Sequence, residues 1–126
     1  MGYAQYRPPT REQRIRACRA ILSFIGYERL WTSHGPAPEA VHLLQQYGGA
    51  MSNDEWVLFQ VAWVVWGRET GVRLSEILRL EGQRLQFVTK LLEALATGSE
   101  AVEAWLKRGW TRPHTPGRVT RPAAFN

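Results

Sequence analysis

Residues 52–67, SNDEWVLFQVAWVVWG, decide how the chain folds. Ser52 and Glu55 have the spacing of a capping box, in which each side chain satisfies a backbone N–H that the first helical turn leaves open. Behind the box runs Trp56–Trp66, apolar except for Gln60, and Gly67 supplies a stop. The β-branched content would suit a buried strand, but the capped start, the length and the terminal glycine fit a three-turn helix better. A helix apolar on nearly every side is stable only when other helices surround it, so 53–66 is expected at the centre of the fold. Trp56, Phe59, Trp63 and Trp66 fall along one stripe and read as core, each large side chain contributing about 1.5–3 kcal/mol on burial. The stretch is shorter than the roughly 20 residues of a membrane span, so no membrane partner is expected.

Upstream, Pro8 and Pro9 hold off a helix until Thr10, which forms a second capping box with Gln13 and starts helix one at Arg11. Ile15, Cys18, Ile21, Leu22 and Ile25 recur on one face, while Arg14, Arg16 and Arg19 spread over the remainder. Tyr27 and Trp31 belong to an aromatic connection, punctuated by Gly35, Pro36 and Pro38. Ala40, Val41, Leu43, Leu44 and Tyr47 then resume helical spacing until Gly48 and Gly49. Downstream, Val72, Leu74, Ile77, Leu78 and Leu80 predict a short helix four, ended near Gly82. Leu85, Val88, Leu91, Leu92 and Leu95 predict helix five, and Val102, Trp105 and Leu106 a sixth that stops at Gly109. The expected fold is all-α, a single-domain bundle of five to six helices over 10–109. A flexible segment, 1–9, precedes it, and a basic, Pro-containing tail, 110–126, is expected to be disordered until something orders it.

With 126 residues the chain suits one domain, and its net charge of +5 is unevenly placed. Residues 1–35 carry six arginines against two glutamates, whereas 36–104 carry five basic residues against nine acids. From Trp105 onward Lys107, Arg108, Arg112, Arg118 and Arg121 meet no acid at all. Two basic ends flanking a mildly acidic middle favour a polyanionic partner. Arg7, Arg11, Arg14, Lys107, Arg108, Arg112, Arg118 and Arg121 are the candidate phosphate contacts, and Trp110, between Arg108 and Arg112, is the candidate stacking surface. The opening at Met1, aromatic residues and a proline pair, is unlike a signal peptide, and the single Cys18 excludes an internal disulfide, so a cytoplasmic location is expected.

The segment 91–109, LLEALATGSEAVEAWLKRG, resembles the helix-turn-helix of repressor-type DNA-binding proteins. The resemblance implies that Leu91 and Leu95 pack the first helix, that Ala96 to Gly98 make the turn, and that Val102 and Trp105 anchor the second helix. Leu92 stands where that motif usually has a small residue, and Glu100 and Glu103 occupy the turn that should meet base edges. Catalytic and metal constellations are not expected, since His34, His42, His114 and Cys18 fall in four unrelated segments. No cofactor is expected either, because the chain has no glycine-rich phosphate loop. The function these observations favour is a non-enzymatic accessory subunit contacting nucleic acid or a nucleoprotein assembly through basic termini, without sequence readout. The alternatives are a helical adaptor or self-associating scaffold, and a DNA-binding regulator using 91–109.

Overall fold

The computed structural model describes residues 5–110. Six helices follow in order: α1 (Arg11–Phe24), α2 (Pro38–Gln45), α3 (Asn53–Trp66), α4 (Leu74–Leu78), α5 (Gly82–Thr97) and α6 (Ser99–Lys107). Between α1 and α2, a 3-10 turn (Glu28–Leu30) leads into two very short antiparallel strands, β1 (Trp31–Thr32) and β2 (Gly35–Pro36), paired Trp31 to Pro36 and Thr32 to Gly35. Among the described residues no helix is long and apolar enough to cross a membrane.

Both capping boxes form as the spacing predicts. Thr10 Oγ1 accepts from the Gln13 N–H at 3.0 Å while Gln13 Oε1 accepts from the Thr10 N–H at 3.0 Å. Ser52 and Glu55 make the equivalent pair at 3.2 and 3.0 Å and start α3. Leu58 and Phe59 are fully buried and Trp63 nearly so, with α1 as the most extensive neighbour of α3. The aromatic stripe is core in its middle and half-buried at its ends, Trp56 and Trp66. Trp31, from β1, stands edge-on to Trp63 at 5.0 Å and to Trp66 at 6.1 Å, so the aromatic connection closes one end of the core. Val64 escapes it, 47% exposed.

Two elements differ from the sequence expectation. Helical spacing predicts that Tyr47 continues α2, but the helix ends at Gln45, and Tyr47 takes a positive φ of 53° with its ring 81% exposed. The cause lies at Gly48, where a Cβ would come within 2.7 Å of Trp56 Cε3, so the chain must turn to bring bare backbone against that ring. Helix four is only five residues long. Its apolar residues split, Ile77 facing the core and Leu74 and Leu78 lying 66% and 61% exposed. A stretch this short cannot carry a full apolar stripe: Ile77 and the following Leu80 are buried, and Val72 ahead of it packs partly against the core.

Candidate nucleic-acid interface

α1 and α6 lie side by side and run in the same direction, as their polar pairings show: Gln13 meets Ser99, and one turn later Arg16 meets Glu103. Gln13 serves both ends of this seam. Its amide oxygen takes the Thr10 N–H of the capping box and the Ser99 hydroxyl at 2.9 Å. Its amide nitrogen donates to the Ser99 carbonyl and to Glu103 Oε1, each at 3.2 Å. The side chain is therefore buried without loss, since it finds partners for its acceptor and its donors. Arg16 adds a fork, with Nη1 3.0 Å from Glu103 Oε1 and Nη2 3.1 Å from Oε2. Hydrogen bonds from Arg16 and then Gln13 hold the Glu103 carboxyl below its ordinary range; desolvation opposes them, and the Arg16 and Lys107 charges add lesser contributions in the lowering direction.

Outside this seam, Arg16 and Arg19 form a common wall between two shallow depressions. The first, about 450 Å³, is completed by Arg11, Glu12, Ile15 and Ser33. The second, about 380 Å³, is completed by Ala20, Ser23, Glu28 and Leu106, next to Lys107 at the end of α6. An arginine-rich face, with Glu12 and Glu28 in its lining, thus follows the outer side of α1. Neither Arg16 nor Arg19 is among the phosphate contacts expected from sequence, where both count only as part of the polar side of α1. The α6 contact that orients Arg16 joins residues 87 positions apart, and helical periodicity is blind to that range.

The expected contacts divide on this frame. Arg11 lies on the arginine-rich face, its guanidinium 5.5 Å from the centre of the Trp66 ring, and Lys107 is exposed at the face's far end. Arg7 is exposed at the start of α6. Its carbonyl accepts the Ser99 N–H at 2.8 Å, and Tyr6 donates its hydroxyl to the Leu95 carbonyl at 3.2 Å, so residues 6 and 7 of the leading segment are seated on the body. Arg14 departs from expectation. It is half-buried and donates to the Trp66 carbonyl at 3.4 Å, satisfying an open acceptor at the negative end of α3. Trp110 departs too, for its ring packs edge-on to Phe87 at 5.3 Å and beside Trp105 at 6.3 Å, while Arg108 covers it at 4.4 Å. That ring is a half-buried part of the core and no open platform for a base, and packing extends one residue beyond the expected limit of 109. Arg112, Arg118 and Arg121, with the rest of the tail beyond Trp110, lie outside the described residues.

The helix-turn-helix expectation meets a different geometry. Val102 and Trp105 are buried as the resemblance implies, but Ala96 and Thr97 remain in α5, and Gly98 alone joins α5 to α6. α6 faces α1 and the leading segment through Ser99 and, one turn on, Glu103, in place of an open groove. Its exposed positions are Glu100, Ala104 and Lys107.

Cys18 is fully buried and donates its thiol to the Ala62 carbonyl at 3.1 Å; burial pushes its ionisation far upward, against a smaller opposing pull from Arg14. The thiolate is the reactive form, so a thiol reagent should label the native protein far more slowly than the urea-unfolded chain. Equal labelling rates would contradict this placement. Among the described residues no group of three or more His, Cys, Asp or Glu could hold a metal ion. No protein-family model, curated protein or solved structure matches the chain.

Proposed function

We propose that this protein is a non-enzymatic helical subunit, working in the cytoplasm, that attaches to nucleic acid or to a nucleoprotein assembly by neutralising phosphates, without reading sequence. The observation that carries the reading is the shared wall formed by Arg16 and Arg19, with Arg11 at one end of the same face and Lys107 at the other. Cations held on helices suit contacts to a phosphate backbone, which position a protein without reading sequence. Base recognition has less support, because Ser99 at the start of α6 is engaged with Gln13 of α1 and the faces of Trp66 and Trp110 carry Arg11 and Arg108.

Fluorescence anisotropy of labelled duplex and single-stranded DNA and RNA, measured over a range of salt, tests the proposal. Three to four phosphate contacts give a slope of log K against log salt of about −3 to −4 on duplex DNA. Arg19→Gln should make that slope shallower by about 0.9 and weaken all sequences alike. Absence of binding at low salt, or a flat salt response, would overturn the reading. A protein–protein adaptor would then be the better account, supported by Leu74 and Leu78 standing out on α4.

A further inference from the structure

Arg16 already holds an oxyanion. Its guanidinium meets both carboxylate oxygens of Glu103 in a parallel fork, at 3.0 and 3.1 Å. Gln13 Nε2 adds a third donor at 3.2 Å, and Lys107 lies close enough for its charge to act on the same carboxylate. A planar fork and a neutral amide around two oxygens is a donor set that a phosphodiester also takes. The side chains of Arg16 and Glu103 remain 40% and 32% exposed, so a ligand can reach the pair from solvent.

We propose that Gln13 and Arg16 form a phosphate seat, that Glu103 occupies it in the free protein, and that a phosphodiester of bound nucleic acid takes its place. This rests on the reading of the α1 face as a nucleic-acid interface and adds where one phosphate lodges. Exchange is favoured for a polymer because an exposed ion pair holds weakly. A polyanion, in contrast, engages Arg11 and Arg19 in the same event and releases its condensed counterions. Glu103 thereby tunes the affinity downward without blocking the face.

The test compares Glu103→Gln with Glu100→Gln in binding to a labelled DNA duplex. Both variants remove one negative charge from α6, but Glu100 is exposed and outside the fork. Glu103→Gln should bind about fivefold tighter than Glu100→Gln, the scale of one exposed forked pair. A companion measurement needs no substitution: the side-chain amide NMR signals of Gln13 in the full-length protein should move as duplex is added, saturating with the anisotropy signal. Equal or weaker binding by Glu103→Gln overturns the seat while leaving the wider interface standing. So do unmoved Gln13 signals in a protein that binds. Failure of all three proteins to bind overturns the seat and the interface together.

Discussion

Phe87→Ala should cost about 3–5 kcal/mol of folding stability, the range for truncating a fully buried phenylalanine. Phe87 has no exposed surface and stacks parallel to Phe24 of α1, with ring centres 4.0 Å apart and planes 8° from parallel. Trp105 of α6 meets its edge at 5.1 Å and Trp110 at 5.3 Å. One ring therefore joins α1, α5, α6 and the residue that ends the described chain. Truncation leaves a hole walled by three large aromatic groups, which cannot collapse into it without giving up their own contacts. Urea unfolding followed by far-UV circular dichroism measures the loss, and Leu92→Ala, on the solvent side of the same helix, should stay within about 0.5 kcal/mol of wild type. A Phe87 variant as stable as the Leu92 variant would contradict the packing described.

Gly98→Ala should cost about 1–3 kcal/mol in backbone strain alone, before any clash is counted. Gly98 has φ 129° and ψ −173°, a region essentially reserved for glycine. A Cβ there would also sit 3.0 Å from the Arg7 carbonyl oxygen. That oxygen holds the Ser99 N–H, so the variant should loosen residues 6 and 7 and speed hydrogen exchange of the Ser99 amide. Gly71→Ala is the control, because φ is 83° there and nothing lies within 4 Å of the added carbon. If the Gly98 variant proves no less stable than the Gly71 variant, with Ser99 exchange unchanged, the seating of the leading segment is wrong.

The features legible in sequence are those whose partners are near neighbours along the chain. Thr10 with Gln13 and Ser52 with Glu55 marked the starts of α1 and α3 because a capping box is complete within four residues. Gly67 and Gly98 marked ends for the same reason. The central place of α3 followed from an apolar surface too broad for one partner. Features set by distant partners were not legible. Nothing local distinguishes Arg14, which turns to the end of α3, from Arg16, which turns to α6; both sit on the polar side of one helical period. Trp110 read as a stacking surface because it lies among arginines in sequence, whereas the pocket that takes its ring is built by Phe87 and Trp105. Gln13 illustrates both cases, since its cap was readable and its grip on Ser99 and Glu103 was not.

The parallel seam between α1 and α6 also constrains the order of assembly. α1 is synthesised well before α6, yet its polar side is completed by α6 through hydrogen bonds spanning 86 to 90 positions. Closing so long a loop early is entropically unfavourable, whereas α1 can pack on α3 from much nearer in sequence. During synthesis the aromatic centre should therefore form with one flank open, and the carboxylate that occupies Arg16 arrives only with α6. Until then the nascent chain presents Arg16 without that internal counterion.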